Sequence, residues 1–263
     1  MFCSIFGKLH HMQLSLIPDD REDRLLSIHR RLRRQYGPQG PHVLLDPVSQ
    51  LVMGLIGGKT RGEISTSVFC TLKGRFRDWE SLRDAPVQEI RHLIAPVTFA
   101  EVKARRLKAA LQMVTANQGA LSLDLLKPMS VSASLNWLEQ LPGVGRKTAA
   151  TVLNFSNLRK PALVIDTHHL RVARRLGLIR PRAGTVEAYE QLSPLLPPQW
   201  GAPNVDSHHQ LIKSHGQHRC RATWPECHGC CLADLCDGAR ATRQTSISGA
   251  AAPFDPPIRT DKS

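Results

Sequence analysis

The sequence predicts an all-α protein. Apolar residues recur at helical spacing in one segment after another, and prolines and glycines separate these segments. No stretch shows the convincing alternation of apolar and polar residues that a half-buried strand would have. The one short extended candidate, PALVID at residues 161–166, has no evident pairing partner. Helix packed on helix is therefore the expected architecture.

The first predicted helix runs from Arg21 to Tyr36. Leucine and isoleucine side chains form an apolar stripe along it, and arginines occupy the opposite face. Glycines and prolines at residues 37–41 then interrupt the chain. Asp46-Pro47 predicts the start of the next helix, because a capping aspartate followed by a first-turn proline is typical of a helix N-terminus.

Further helices follow from the same periodicity. They are predicted over Val48 to Ile56, Ile64 to Leu72, Val87 to Ile94, Val102 to Thr115, Ala133 to Gln140, Lys147 to Phe155 and Thr167 to Leu176. Residues 178–204 are rich in proline and glycine and predict a connecting, partly helical segment. From residue 237 onward little can be buried, which predicts a disordered tail. Cys70 lies in an apolar helical segment and is predicted to be a core residue.

The composition indicates a folded protein with a cationic surface. Lysine and arginine number 35 against 22 acidic residues, a net charge of +13. A chain this basic usually faces a polyanion, most often nucleic acid, although a merely solvated cationic surface gives the same count. No apolar run reaches the ~18 residues of a membrane-spanning helix, and no secretory signal is evident. The seven cysteines, an odd number, favour reduced thiols and a cytoplasmic location, with the nucleoid in a bacterium.

The segment LPGVGRKTAA at residues 141–150 predicts a tight hairpin between two helices. Pro142 ends the first helix, and Gly143 and Gly145 are predicted to take positive φ and to expose backbone N–H groups. The dipole of the second helix favours an anion at this point, so the hairpin suits a DNA phosphate without reading bases. A plain helical connection with solvent-facing cations is the alternative. The predicted DNA contacts here are Gly143, Val144, Gly145 and Arg146.

Lys147 is the candidate nucleophile. It lies in the first turn of a helix, where the helix dipole and the neighbouring Arg146 both disfavour the charged ammonium. A neutral amine at this position could attack a sugar carbon and form a Schiff base, although a phosphate contact is the commoner role for such a lysine. Asp166 precedes the helix that starts at Thr167 and is predicted to cap it. If its second oxygen faces Lys147, it could stabilise positive charge on a sugar or move a proton.

Four cysteines near the C-terminus are the candidate metal ligands: Cys220, Cys227, Cys230 and Cys236. Their spacing, C-x6-C-x2-C-x5-C, is too dense to be accidental and indicates a metal centre. It contains a single short C-x2-C pair, which favours a [4Fe–4S] cluster over structural zinc, the alternative. Cys231 is a fifth thiol in the same loop. The nearby histidines are interpreted mainly as packing and polar contacts.

Taken together, the motifs resemble those of endonuclease III, a helix-hairpin-helix DNA glycosylase of the iron–sulfur branch. The similarity rests on LPGVGRKTA, VIDTHHLRVARRLGL and VDSHHQLIKSHGQHRC with the cysteine loop that follows, and it extends in order over residues 25–236. It implies a six-helix lobe at residues 46–160 that carries the hairpin. It also implies an iron–sulfur lobe formed by residues 21–45 and 161–236. Residues 1–20 would be an N-terminal extension and residues 237–263 a disordered tail.

The resemblance further implies a DNA repair enzyme that is both a glycosylase and an AP lyase. Lys147 would attack C1′ of a damaged nucleotide in double-stranded DNA, Asp166 would be the essential carboxylate, and β-elimination would cut the strand. Glu139 would tune the hairpin. The protein would act as a monomer, with no membrane partner. A monofunctional DNA glycosylase and a non-catalytic iron–sulfur DNA-binding protein are the alternatives.

An enzyme of this kind extrudes its target nucleotide and must fill the space left behind. The resemblance places the filling loop at IGGKTRGE, residues 56–63, where Gly58 replaces the usual glutamine and Arg61 an acidic residue. Gly58 and Lys59 are therefore predicted DNA contacts. Phe99 is the predicted second wedge, although it could equally be a core residue. Arg221 in the cysteine loop is a predicted phosphate contact.

Overall fold

The computed structural model describes residues 20–40 and 43–240, and helices dominate both ranges. They are α1 (Asp20–Tyr36), α2 (Pro47–Gly57), α3 (Gly62–Arg75), α4 (Trp79–Asp84), α5 (Val87–Leu93), α6 (Ala100–Gln118), α7 (Val131–Leu138), α8 (Arg146–Phe155), α9 (Thr167–Arg175), α10 (Thr185–Leu192) and α11 (Ala202–His218). No strand occurs in these ranges, where an isolated parallel bridge joins Leu45 to Ser156. The all-α prediction is confirmed. None of the helices in the described ranges is long and apolar enough to cross a membrane.

Local signals place several helix ends correctly. Asp46 caps α2 as predicted, accepting a hydrogen bond from the Ser49 N–H at 2.8 Å. The predictions for α1, α8 and α9 are each within one residue of the observed ends. Cys70 corrects a prediction, because its side chain is exposed and the neighbours Phe69 and Leu72 fill the core instead. The α3 helix buries only one face, and Cys70 lies on the other.

The C-terminal tail begins later than predicted. Residues 237–240 form a helical turn, in which Ala239 is buried and Asp237 accepts a hydrogen bond from Arg24 of α1 at 3.0 Å. The prediction of a tail from residue 237 is therefore wrong for these four residues. The remaining tail, residues 241–263, lies outside the described residues, as do residues 1–19 of the predicted N-terminal extension.

The buried apolar side chains form two clusters. The first is built on α2 to α8, and the second on α1, α9, α10, α11 and the cysteine loop. The extended segment before α9 contributes to both, since Ala162 and Val164 belong to the first cluster while Leu163 and Ile165 belong to the second. This alternation is the two-residue period of extended backbone. It fixes the chain between the two clusters and so places Asp166, the next residue.

The crossing of α2 and α8 is unusually close. A Cβ atom on Gly54 would lie 2.7 Å from Cγ2 of Thr148, closer than packed atoms approach. Glycine therefore allows α8 to lie directly against α2, and the Thr148 side chain packs against the Gly54 backbone. The neighbouring residue, Lys147, is thereby held in a fixed first turn of α8.

Candidate active site

The hairpin between α7 and α8 has one left-handed residue. Gly143 has φ +83°, and a Cβ atom there would lie 3.0 Å from Cδ of Arg106 and 3.2 Å from Leu55. A side chain at this position is thus excluded both by the backbone and by the packing. Val144 is buried, and its N–H donates to the Leu141 carbonyl oxygen at 3.0 Å. The prediction of positive φ is wrong for Gly145, whose φ of −108° is ordinary extended backbone.

The start of α8 is open. Gly145 is its N-cap residue, no side chain caps the helix, and the first turn holds no acidic residue. Gly145 is exposed, and a Cβ atom there would meet nothing within 4 Å. The first backbone N–H groups of α8 therefore have no side-chain acceptor and point toward open space, where the helix dipole favours an anion.

Arg146 does not face outward with them. Its guanidinium forms a two-pronged salt bridge with Glu139, the C-cap residue of α7, and lies 5.0 Å above the Tyr189 ring. Both partners of the salt bridge are largely buried. The Glu139 pairing holds the pKa of Arg146 above its usual value. The pair clamps the two helices of the hairpin together, so the predicted DNA contact of Arg146 rests on its backbone N–H.

Lys147 and Asp166 lie at the starts of two helices. The Lys147 side chain is exposed in the first turn of α8. Asp166 caps α9, and its Oδ1 accepts a hydrogen bond from the His169 N–H at 2.8 Å. Burial tends to raise the pKa of Asp166, but His209 and the hydrogen bond from His169 outweigh it and keep the pKa below its ordinary value. Asp166 is therefore a carboxylate at neutral pH.

The charges of Asp166 and Lys147 both affect the pKa of His209, on α11. Its Nδ1 donates to the Val164 carbonyl oxygen at 2.7 Å, which leaves Nε2 as an acceptor. Burial lowers the pKa of His209 to about 4, Asp166 acts to raise it, and Lys147 acts to lower it further. Lys147 and Asp166 thus have opposite effects on the pKa of one buried imidazole. The sequence predicted packing and polar contacts for the nearby histidines, and the hydrogen bond of His209 is such a contact.

A row of imidazole rings in contact with one another extends from His209 into the second cluster. His209 stacks on His169 with ring centroids 5.9 Å apart, His169 meets His208 at 5.7 Å, and His208 meets His29 at 5.5 Å. The Nδ1 atoms of His29, His169 and His208 have no hydrogen-bond partner within the described residues. Burial lowers the pKa of all three, that of His169 to about 3. The cluster is thus neutral at physiological pH.

The predicted wedge residues lie together at an exposed tip. Phe99 is 61% exposed rather than part of the core, and the Lys59 Nζ atom lies 5.7 Å from its ring centroid. Gly58 is exposed beside them with an ordinary φ of −57°. Arg221, the predicted phosphate contact in the cysteine loop, forms a 2.9 Å salt bridge with Glu226, and both side chains are about half exposed.

The four predicted metal ligands share one loop against the second cluster. Arg175 links two of them, since its guanidinium lies 3.4 Å from Cys220 Sγ and its carbonyl oxygen accepts from Cys236 Sγ at 3.3 Å. A hydrogen bond from Cys231 lowers the pKa of Cys230 to about 4, and the same contact raises the pKa of Cys231.

The thiols fit an iron–sulfur cluster or zinc in donor type and in sharing a loop beside a cationic arginine. Within residues 20–40 and 43–240, no group of three histidine, cysteine or acidic side chains is arranged as a metal site.

The fold and the hairpin between α7 and α8 define a helix-hairpin-helix protein. The family model for HhH-GPD superfamily base excision DNA repair proteins matches residues 52–198. Endonuclease III of Thermotoga maritima is 30% identical over 74% of this chain and 85% of its own, and endonuclease III of Bacillus subtilis is 28% identical over 73% and 81%. A solved endonuclease III–DNA covalent intermediate has a TM-score of 0.69 at 22% identity, covering 85% of this chain and 98% of that one. The chain belongs to the HhH-GPD superfamily of base excision DNA repair proteins.

Proposed function

We propose that this protein is a DNA glycosylase with AP lyase activity that removes a damaged base and cuts the strand beside it. The observation that carries the proposal is an exposed lysine at the uncapped start of α8, together with an ionised, partly buried carboxylate that caps the start of α9. Membership of the base excision repair superfamily and the similarity to bacterial endonuclease III support it.

The chemistry divides between the two residues. The Lys147 amine attacks C1′ of the extruded nucleotide, and the base leaves with the electron pair of the glycosidic bond and takes up a proton. Opening of the sugar ring gives a Schiff base between Nζ and C1′, which acidifies the C2′ hydrogens. Loss of one of them expels the 3′ phosphate, and water then releases the lysine. The Asp166 carboxylate stabilises the positive charge that develops on the sugar.

The DNA would enter along the open start of α8. The N–H groups of Gly143, Gly145 and Arg146 meet a phosphate, and the Lys59–Phe99 tip meets the base stack. Val144 was also predicted to contact DNA, but its N–H already donates to the Leu141 carbonyl oxygen, so it supports the turn instead.

The proposed lobes are residues 46–160 and residues 21–45 with 161–236, and the substrate would lie between them. The division of the buried side chains into two clusters supports these bounds, except that Ala162 and Val164 pack with the first cluster. We place the protein in the cytoplasm, acting as a monomer on the chromosome.

A [4Fe–4S] cluster held by Cys220, Cys227, Cys230 and Cys236 completes the proposal. When bound, the cluster would order the loop and fix its arginines near DNA, and no redox step is assigned to it. Chelation or mutation of a ligand cysteine would therefore loosen the second lobe without altering Lys147. Absorbance near 400 nm and iron analysis of purified protein distinguish this cluster from structural zinc.

Borohydride trapping tests the function. Incubation with duplex DNA that contains an abasic site, followed by borohydride, is expected to give a covalent complex whose linked peptide contains Lys147. Lys147→Ala removes the amine, and we expect trapping and strand cutting to fall by roughly 1,000-fold or more. Lys160→Ala is the matched control, because its Nζ donates to the carbonyl oxygens of Lys127 and Met129, away from the hairpin.

Two outcomes contradict the proposal. Undiminished trapping in the Lys147→Ala variant would reject this lysine as the nucleophile. Release of free base without any strand cutting by the unaltered protein would instead support a monofunctional glycosylase. A panel of duplexes with oxidised pyrimidines, uracil, mismatches and abasic sites identifies the lesion that is excised.

A further inference from the structure

Two turns that are distant in sequence meet at the exposed Lys59–Phe99 tip. Residues 58–61 connect α2 to α3 and carry Lys59, and residues 95–99 precede α6 and carry Phe99. Both residues are left-handed, with φ of 55° and 61°. This conformation is unfavourable for residues that have a side chain, and it persists only where the surrounding structure enforces it. Some other group must therefore hold the two turns.

Lys103, in the first turns of α6, is that group. Its Nζ atom donates to the carbonyl oxygens of Ile56 at 2.7 Å and Gly58 at 2.6 Å, and to the Thr60 hydroxyl at 2.9 Å. An ammonium has three hydrogens, and all three are used here. The Thr60 hydroxyl also accepts from the Thr98 N–H at 3.1 Å, which connects the first turn to the second.

These three hydrogen bonds from Lys103, here called the Lys103 tie, are charge-assisted, and the Lys103 side chain is half-buried. Burial lowers the pKa of Lys103 to about 8. Such bonds are stronger than those between neutral groups, and here they act on two main-chain oxygens before Lys59 and on the Thr60 hydroxyl after it. The side chains at the tip are therefore arranged before DNA arrives, which avoids the cost of ordering them on binding.

We infer that Lys103 is a positioning residue that holds the Lys59 and Phe99 turns together as a plug for the space left by an extruded nucleotide. This inference rests on the proposed function, because only an enzyme that extrudes its target needs a plug. The plug ends in an ammonium, which has donors and no acceptors, so it meets the acceptor atoms of the unpaired base on the opposite strand.

A fluorescent duplex tests the inference without any catalysis. The probe carries 2-aminopurine opposite a tetrahydrofuran abasic analogue, which has no C1′ oxygen and cannot form a Schiff base. Binding of the unaltered protein is expected to change the fluorescence as the plug displaces the 2-aminopurine. Lys103→Met removes the ammonium at similar length, and we expect it to lose most of this change and to bind about tenfold more weakly.

Lys108→Met is the matched control. Lys108 lies on the same helix, and its Nζ donates to the Ala85 carbonyl oxygen at 2.6 Å, remote from the tip. The control should behave like the unaltered protein, and Lys103→Arg should recover part of the signal. Thr60→Val, which removes the bridging hydroxyl, provides a second variant if Lys103→Met does not fold, and it should lower the signal in the same direction.

The result that overturns the inference is a Lys103→Met protein with the same fluorescence change as Lys108→Met. Equal losses in both variants, or no change with the unaltered protein, also overturn it. Borohydride trapping on a single-stranded abasic oligonucleotide separates the two proposals, because a single strand needs no plug. Lys103→Met should trap there at the unaltered rate, whereas absence of trapping by the unaltered protein on an abasic duplex contradicts the proposed function.

Discussion

The helices α8 and α9 begin in opposite ways. The first turn of α8 has no side-chain cap and no acidic residue, and it presents Lys147 to solvent. The first turn of α9 is closed by Asp166, whose carboxylate accepts the His169 N–H in a half-buried position. One helix start thus leaves its backbone donors available for an external anion, while the other uses an anion of the protein itself.

The difference shows how one structural feature can serve binding or catalysis. A helix N-terminus favours negative charge in either case. At α8 that charge would be a DNA phosphate, which neutralises the local field once the substrate is bound. At α9 it is a permanent carboxylate, held in the ionised form and aimed by its capping bond. The residues at the two starts should therefore respond differently to substitution.

After the loss of the Lys147 amine itself, the largest expected effect is that of removing the carboxylate charge at α9. Asparagine caps helices about as well as aspartate, so Asp166→Asn should leave the free energy of unfolding nearly unchanged. Base excision should nevertheless slow by roughly 100-fold, because the charge that stabilises the developing sugar cation is lost. Single-turnover rates on a lesion duplex and urea unfolding of the same samples measure the two quantities.

Asp166→Ala separates capping from charge. It removes both, so its rate should match that of Asp166→Asn while its stability falls by a further ~1 kcal/mol. An Asp166→Asn protein that keeps its rate within a factor of two would show that this residue is a cap and nothing more. The two helix starts would then differ in capping but not in a catalytic role.

The next largest expected effect is a loss of folding stability at acid pH, caused by the buried histidines near Asp166. His169, His208 and His209 have pKa values below 6.5 in the folded state, so the unfolded chain binds more protons as the pH falls. Their contribution is complete above about pH 6.5 and is lost progressively on acidification toward pH 4. Each such imidazole should cost about 2 kcal/mol between pH 7 and pH 5. Asp166 adds nothing in this window, because it stays ionised.

Urea unfolding at pH 7 and pH 5 measures this loss. His208→Leu removes one buried imidazole with an unpartnered Nδ1, and the difference in stability between the two pH values should shrink by about 2 kcal/mol. His92→Leu, on the exposed face of α5, is the control and should leave the difference unchanged. A His208→Leu protein with an unaltered pH dependence would contradict the assignment of acid sensitivity to this cluster.

Sequence reasoning succeeded where the signal is local. Asp46-Pro47 and the Asp166 cap are defined by neighbouring residues, and both helix starts are where they were predicted. The Lys103 tie could not be predicted, because its acceptors lie more than 40 residues away and two are main-chain oxygens, which every residue has. The same holds for the stacking of His169 on His209, which depends on how α9 meets α11.

The prediction of a positive φ angle for Gly145 was wrong for a different reason. Glycine permits a left-handed conformation without requiring it, and the turn here needs only Gly143 to be left-handed. A glycine at residue 145 therefore needs another explanation. Its backbone is in the region that N-cap residues with side chains adopt, and open space surrounds the position of its missing Cβ. The physical reason that remains is that a side chain would cover the N–H groups of α8.

Gly145→Ser is the substitution that follows, and its expected effect is the smallest. The serine hydroxyl can cap α8 without strain, which should raise the free energy of unfolding by a few tenths of a kcal/mol. The same hydroxyl would occupy the donors meant for a phosphate, so affinity for duplex DNA should fall several-fold. Gly184→Ser is the control, since Gly184 caps α10 in the same extended conformation with nothing within 4 Å. The control should gain stability and keep its DNA affinity. If Gly145→Ser also keeps its affinity, the open start of α8 is not where the DNA backbone binds.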